Sequence, residues 1–277
     1  MQNLAAIVVL YNNTSEVIDN IKSYIDDVKV IYCIDNSDKE THLLDEMKKV
    51  VYIPQYKNIG LAKALNLGCN RAIEDGADSL ITFDQDTFCE KNTVKKLKDR
   101  LEKDNDNVFV PNIKTIYRGN QAERIFSDEC LMSEDDEVLD WAITSGTIMS
   151  TKTYINMQGF DDNLFIGQID QDFCFRLKKN NKRILKLGDA YIYQELGNTT
   201  KVKIFSKTLH ISNLSPFRYF YIFRNERYLR KKWGHEYKNY YVKLYKYIIS
   251  IIFFESNKLN KLKSCMEGFK CGKNIFK

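Results

Sequence analysis

The sequence predicts an α/β fold built on a mostly parallel sheet and followed by a helical extension, and three observations carry that reading. Two runs near the N-terminus, Leu4–Tyr11 (LAAIVVLY) and Val28–Ile34 (VKVIYCI), are continuously apolar over the length of a strand, as strands covered on both faces must be. Segments with a helical apolar period separate these runs, as crossover helices require. Residues 217–277 read as helices throughout, so the boundary between a catalytic body, 1–216, and an extension, 217–277, is placed at Ser215-Pro216.

Taken in order, Thr14 or Ser15 is placed to cap a first helix, whose Val17, Ile18, Ile21 and Ile25 follow a 3.6-residue period. Val50–Pro54 is a third short strand. Gly60–Ile73 is a helix with Leu61, Ala64, Leu65, Gly68 and Ala72 on one face, Ser79–Phe83 a fourth strand and Thr93–Leu101 a basic helix. From Asn105 to Glu137 the pattern dissolves into polar loops with an edge strand at Val108–Val110. Trp141–Ser150 (WAITSGTIMS) reads as a strand with a central glycine. A helix at Gln171–Lys179 and strands at Arg183–Leu187 and Ala190–Tyr193 follow, then helices at Phe217–Trp233 and Tyr237–Phe254 and a weaker one to Phe269. Repeated strand–helix units of this kind place the ligand crevice at the carboxyl ends of the strands.

Composition narrows the class. With 277 residues, 44% of them apolar, and only 3 prolines and 12 glycines, the chain has enough apolar surface for a core and no low-complexity or periodic segment. Seven cysteines without a CxxC pair read as reduced thiols. No basic region precedes the first apolar run, so a secretory signal is not expected. Tyr247–Phe254 falls far short of the roughly 20 residues that span a bilayer. The formal charge of +5 hides an asymmetry: residues 217–277 carry 15 Lys/Arg against 4 Asp/Glu, a net of +11, which leaves −6 for residues 1–216. The same segment holds 16 of the chain's aromatic residues. A basic aromatic extension on an acidic body suits an anionic surface, whereas no nucleic-acid-binding motif is present and nucleic acid is not an expected partner.

The strand ending at Phe83 runs into Asp84-Gln85-Asp86, and strand alternation sets the two carboxylates on one side. Such a pair suits a hard divalent cation, Mg²⁺ or Mn²⁺, which takes one or two carboxylates together with phosphate oxygens of a substrate; the plain alternative is a chance pair in a surface loop. Asp35 leaves the second strand in the same way, either as an acceptor for a nucleotide's base or ribose or as an Asx-turn residue. Tyr11-Asn12-Asn13 follows the first strand without a glycine-rich loop, and neither GxGxxG nor GxxxxGK[ST] occurs, which removes support for dinucleotide binding and P-loop chemistry. Asn58-Ile59-Gly60-Leu61-Ala62-Lys63 opens a helix, where Lys63, Asn66 and Asn70 form either a phosphate-facing or a solvated face. In Ile169-Asp170-Gln171-Asp172-Phe173-Cys174-Phe175-Arg176, Asp170 sits at a loop–helix junction as an N-cap or a general base, and Asp172 and Arg176 can pair at i, i+4.

In this order the pieces resemble the family 2 glycosyltransferases, inverting enzymes of the GT-A fold, and more narrowly their rhamnosyltransferase branch in bacterial surface-polysaccharide assembly. The motifs are Tyr11-Asn12, Asp35, NIGLAKALN at 58–66, DQD at 84–86, SGT at 145–147, GFDDNLFI at 159–166 and IDQDFCFR at 169–176, with SPFRYFYIFRN at 215–225 similar to a stretch that follows the catalytic domain in that branch. The resemblance implies a GT-A three-layer sandwich and transfer of a sugar, rhamnose from dTDP-rhamnose, from a nucleoside-diphosphate donor to a lipid-linked or saccharide acceptor. It assigns the base role to Asp170. Donor contacts fall to Tyr11, Asn12, Asp35, Asn58, Lys63, Asp84 and Gly146, the metal to Asp86 with Asp84, and supporting roles to Asp172 and Arg176. Inversion requires a base opposite the leaving group and an electrophile on it.

Two positions depart from the family pattern. Ile169 stands where many members carry Glu, and Gln194 stands where many carry a metal-binding His, so that Gln194 or Glu195 is left to offer oxygen to the cation. The enzyme is expected in the cytoplasm, peripheral to the inner face of the plasma membrane. Its aromatic extension packs on the body, binds anionic lipid or pairs two copies in a homodimer. Competing readings are another donor such as UDP-glucose or UDP-galactose, a nucleotidyltransferase, which lacks its usual basic glycine-rich loop here, and a non-enzymatic protein that binds nucleotide sugar or membrane.

Overall fold

Helix packing onto the N-terminal sheet turns on one glycine. A Cβ at Gly68 would lie 2.7 Å from Ile7 Cγ2 and 3.2 Å from Ile34 Cγ1, so only hydrogen lets the helix Leu61–Glu74 sit this close to the strands beneath it. The computed structural model describes residues 3–118, 124–195, 200–204, 207–273 and 275. In chain order the strands are β1 (Leu4–Leu10), β2 (Val30–Asp35), β3 (Val50–Pro54), β4 (Ser79–Asp84), β5 (Phe88–Cys89), β6 (Val108–Arg118), β7 (Arg124–Cys130), β8 (Glu137–Leu139), β9 (Thr147–Ser150), β10 (Ile184–Glu195), β11 (Thr200–Ile204) and β12 (Lys207–Ile211). The α-helices are α1 (Glu16–Lys22), α2 (Leu61–Glu74), α3 (Thr93–Lys103), α4 (Thr151–Asn156), α5 (Ile169–Lys179), α6 (Pro216–Trp233), α7 (Leu244–Phe254) and α8 (Lys258–Gly272).

The main sheet runs β3-β2-β1-β4-β9-β6-β10-β5, with β7 added beside β6 and β8 beside β10. Strands β3, β2, β1, β4, β6 and β10 point one way, while β9 and β5 are antiparallel to their neighbours. The expected mostly parallel sheet is therefore present, and β9 supplies its one internal reversal. Buried residues of β1, β2 and β4 form the core with Val17 and Ile21 of α1 and Val94, Leu97 and Leu101 of α3.

Several elements differ from the sequence expectation. Residues 105–137 hold two long strands and a short one. Pro111 and the polar Asn112 and Thr115 break the apolar run of β6, yet both polar residues are buried, and Asn112 Nδ2 donates to Ser133 O at 2.8 Å. Only Thr147–Ser150 of the expected strand Trp141–Ser150 is extended pairing. Ahead of it the chain turns through Gly146 at φ +78°, where a Cβ would lie 2.6 Å from Pro111 Cγ. The two strands expected at 183–187 and 190–193 are one, β10, with a register shift between Leu187 and Tyr191.

The chain divides into two compact units. The first comprises residues 1–162 and 169–195; the second comprises 163–168 and 196–277, so it takes in the hairpin β11–β12 as well as the helices that follow Ser215-Pro216. Within the second unit, Phe165 stacks on Tyr221 with ring centroids 5.0 Å apart, and Gln168 Nε2 donates to Glu226 Oε2 at 2.9 Å. Helix α8 meets α6 through Gly268 and Gly272, where a Cβ would come within 2.1 Å of Phe220 O and 2.3 Å of Arg224 O. This is the small-residue spacing that lets two helix backbones touch. Ser215 caps α6 by accepting from Arg218 N, with Pro216 in its first turn.

Candidate active site

Parallel register brings the sequence-predicted acids together. Leu10 of β1 pairs with Asp35 and Val9 with Asp84, so Asp35 and Asp84 flank the end of β1, where Tyr11 and Asn12 emerge. Beyond Asp84 the chain turns sharply, and the turn is fixed from three sides. Gln85 accepts from Tyr11 N at 2.8 Å and donates to Tyr11 O at 3.1 Å, Asn20 Nδ2 donates to Gln85 O at 2.8 Å, and the Asp84 N–H donates to Ser145 Oγ at 3.1 Å. Ser145 in turn shares a 2.6 Å hydroxyl bond with Thr87, and Gly146 N donates to Thr82 O at 2.7 Å. The middle residue of DQD and the serine of SGT thus hold the two carboxylates in place, a role the sequence reading did not give them.

Asp35 is buried at 1% exposure and already engaged: Tyr52 Oη donates to Oδ2 at 2.7 Å and Ser37 N to Oδ1 at 2.9 Å. Asn13 reaches the same carboxylate at 3.4 Å, and Asn12 N donates to Ser37 Oγ at 2.7 Å. Burial and the Asp35 contact push the Tyr52 phenol well up, so it stays a donor. A polar cavity of about 360 Å³ opens beside this group, lined by Asn12, Asn13, Ser37, Asp38, Lys39, Glu40 and Thr41. Asn58 and Lys63 are exposed at the start of α2. Asn58 Oδ1 accepts from Gly60 N at 2.9 Å, a local turn that launches the helix.

A second polar cavity, of about 390 Å³, is lined by Asn13, Thr14, Glu16, Asn20, Gln85, Asp86 and Glu195. Burial lifts the Asp86 carboxyl above the usual carboxylate range, the Glu195 carboxylate lifts it further, and the Arg124 guanidinium opposes both. Gln194 Nε2 donates to Asp84 Oδ2 at 3.3 Å and to Thr87 Oγ1 at 3.2 Å. In this arrangement Gln194 orients Asp84 and turns a donor to it, where a metal ligand would have to offer oxygen.

Asp170, at the start of α5, is half-buried and lines a narrow cleft with Thr82, Ile143, Thr144 and Phe173. Ala142 and Ile143 of that cleft also line an apolar cavity of about 380 Å³, together with Val110, Pro111, Ile113, Met132, Leu139 and Trp141. Asp172 and Arg176 are scaffold. Asp172 is fully buried and accepts from Arg176 Nε at 2.8 Å, while the same guanidinium holds Gly159 O at 2.6 Å and also Met157 O. Asn66, on the face expected to be open, is scaffold as well: it donates to Phe160 O at 2.8 Å and accepts from Tyr154 Oη at 2.7 Å and Phe160 N at 2.8 Å.

With this geometry in hand, comparison with known proteins decides the family. The sequence profile described as glycosyl transferase family 2 matches residues 5–184, well over half of the chain. The chain belongs to glycosyl transferase family 2. It is similar to the dTDP-rhamnosyl transferase RfbF of Shigella flexneri, with 28% identity over a 247-residue alignment that covers 83% of this chain and 80% of that one. Among solved structures, GalNAc-T7 with UDP, GalNAc and Mn²⁺ superposes at a TM-score of 0.63 and 13% identity, covering 100% of this chain and 57% of that one, so this chain spans little more than half of that protein. S. aureus TarS residues 1–349 in complex with UDP superposes at 0.56 and 17% identity, over 98% of this chain and 71% of that one. These likenesses show the GT-A glycosyltransferase fold that the sequence led us to expect, and the family makes this protein a glycosyltransferase.

The donor set of this family 2 site fits a divalent cation. Among the described residues no group of three or more His, Cys, Asp or Glu is gathered to hold a metal alone. Mg²⁺ and Mn²⁺ at phosphate-transfer sites do not need one, because substrate oxygens and water complete the shell. Asp86 and Glu195 face one polar cavity, and carboxylates brought this close are relieved by a cation between them.

Proposed function

We propose that the protein is an inverting rhamnosyltransferase that takes rhamnose from dTDP-rhamnose to a lipid-linked saccharide in surface-polysaccharide assembly. The observation that carries this reading is the side-by-side placement of Asp35 and Asp84 at the ends of strands flanking β1, beside two polar cavities, in a chain with 28% identity to a dTDP-rhamnosyl transferase along most of its length. In this reading Tyr11, Asn12 and Asp35 hold the nucleoside. Asn58 and Lys63 approach the diphosphate, and Asp84 and Gly146 face the ribose and sugar. Asp86, with Asp84, holds Mg²⁺ or Mn²⁺, which when bound neutralises charge on the leaving diphosphate. Asp170 takes the proton of the acceptor hydroxyl as it attacks the anomeric carbon. The apolar cavity that meets the Asp170 cleft, with Trp141 on its wall, is the acceptor side.

A lipid-linked acceptor places the work at a membrane surface, and the second unit supports that placement. Helix α7 packs Leu244, Tyr247, Ile248 and Ile251 into its unit, yet Tyr245, Ile249, Ile252 and Phe253 on the other side are exposed and apolar. A helix apolar all round is ordinarily covered, and here the segment around it carries a net +11. No helix among the described residues is long and apolar enough to cross a membrane; the basic charge around α7 is what favours contact with an anionic surface.

The test is a donor screen with purified protein and a polyprenyl-diphosphate-linked saccharide, reading nucleoside diphosphate release with Mn²⁺ and with chelator. Release from dTDP-rhamnose at least tenfold faster than from UDP-glucose or UDP-galactose supports the assignment. Preference for a UDP-sugar sinks the rhamnose, and no acceptor-dependent release from any donor sinks the transferase reading of this site. Sedimentation with phosphatidylglycerol vesicles, lost at high salt, checks the surface contact.

A further inference from the structure

The hairpin β6–β7 carries an arginine to the edge of the carboxylate site. Arg124 opens β7 opposite Arg118, and two residues on, Phe126 lies opposite Ile116, which itself pairs with Glu195 of β10. Phe126 meets Phe88 and Tyr193 edge to face, with ring centroids 5.1 and 5.0 Å apart, and Phe88 follows Asp86 by two residues. The Arg124 guanidinium lies over this shelf, its Cζ 5.1 Å from the Phe126 centroid and 5.8 Å from that of Phe88. Aromatic faces fix the plane of a guanidinium without using its N–H donors.

Among the described residues no hydrogen bond engages those donors. Nε is buried and has no hydrogen-bond partner among the described residues, and no ion pair within 4.0 Å joins Arg124 to a described carboxylate. Asp86 and Glu195 are nevertheless neighbours of this shelf, Asp86 two residues before Phe88 and Glu195 paired with Ile116, which lies opposite Phe126. A permanently charged fork is thus held on a rigid shelf beside two carboxylates and short of both. What fits between is an anion with several oxygens, and a cation bridging it to Asp86 would complete the arrangement.

We propose that Arg124 is a phosphate-binding residue of the donor site, its guanidinium taking oxygens of the nucleoside diphosphate so that fixed positive charge meets the leaving group from the side opposite Asp86. This rests on the nucleotide-sugar reading above. It gives the hairpin β6–β7 a role, and it supplies part of the electrophilic assistance where Gln194 turns a donor toward Asp84.

Calorimetric titration of dTDP, UDP and thymidine into the full chain, in Mg²⁺ and in chelator, tests it with Arg124→Gln and Arg124→Lys. Arg124→Gln weakens the diphosphates about tenfold in chelator and leaves thymidine unchanged, while Arg124→Lys, which keeps the charge but not the fork, falls between. Equal affinity of wild type and Arg124→Gln for the diphosphates under both conditions overturns the assignment. So does equal weakening of thymidine and dTDP, which marks a structural role, or an effect confined to KM for the lipid-diphosphate acceptor. If Arg124→Gln does not fold, the Arg124→Lys comparison of dTDP with thymidine decides alone. Wild type that binds neither diphosphate fails the nucleotide-sugar reading itself, whatever the variants do.

Discussion

Asp86 in the sheet unit and Glu255 in the helical unit are both carboxylates withdrawn from water, and their acidities move in opposite directions. Glu255 is 3% exposed. Burial alone would raise it, but Lys261 Nζ at 2.8 Å, Tyr219 Oη at 2.6 Å and Ser250 Oγ at 2.8 Å donate to it and hold its carboxyl below the usual range. Asp86 is lifted by burial and by Glu195, and the backbone N–H groups of Asp86 and Glu195 together with the Arg124 guanidinium only partly offset this. One unit satisfies its acid from within and gains a fixed structure. The other sets Asp86 and Glu195 at the wall of an open polar cavity. Under the proposed function, that contrast separates a carboxylate that holds the fold from one that meets a ligand.

The largest effect is expected at Asp170, the proposed base, which lies in a separate narrow cleft of the same unit. Asp170→Asn is expected to lower kcat by 10²- to 10⁴-fold, the usual contribution of a general base, while donor affinity and melting temperature stay close to wild type. Single-turnover transfer, donor titration and thermal unfolding measured together check this. A variant that transfers sugar at the normal rate would remove Asp170 from the reaction, and one that unfolds would move it to the Glu255 class.

Much of the architecture was legible in the chain because parallel strands buried on both faces leave unbroken apolar runs, and β1, β2, β3 and β4 lie within a residue or two of where those runs predict them. The motif order likewise singled out Asp35 and Asp84, which the fold sets on either side of the end of β1. What could not be read was whatever depends on tertiary partners. Strand β6 hides behind Asn112 and Thr115, both buried, and Asn112 is made tolerable inside the sheet by Ser133 O, a partner distant in sequence. Residues 141–146 look like strand by composition and become a turn through Gly146. Gln85 and Asn66 are ordinary polar residues until the fold sets a backbone within their reach. In the second unit, reading the tail for charge obscured the Gly268–Gly272 spacing that brings α8 onto α6.

Next in size is the other side of the contrast. Lys261→Met removes the cation from Glu255 and should cost about 3–5 kcal/mol in denaturant unfolding at neutral pH, the usual penalty for stranding a buried charge. The sign of the pH dependence follows from the lowered acidity of Glu255. In wild type its contribution is present above the unfolded carboxyl range and fades as pH falls through the folded value, so the gap between wild type and variant narrows toward pH 4. Equal stability of the two proteins at pH 7 would erase the distinction between the units.

The smallest effect bears on Gln194, which touches the site through a hydrogen bond to an acid. Gln194→Ala deletes its contacts to Asp84 Oδ2 and Thr87 Oγ1, and because Asp84 keeps its backbone tie to Ser145, stability should fall by only about 1 kcal/mol. The sharper readout is kinetic. If Gln194 acts by aiming Asp84, the variant raises KM for the donor several-fold with little change in the Mn²⁺ concentration needed for half-maximal rate. If instead its oxygen coordinates the cation, the Mn²⁺ requirement rises and Gln194→His lowers it again. The 3.3 Å donor contact to Asp84 predicts the first outcome, with Gln194→Glu the most damaging replacement, since it adds a carboxylate to Asp84, Asp86 and Glu195.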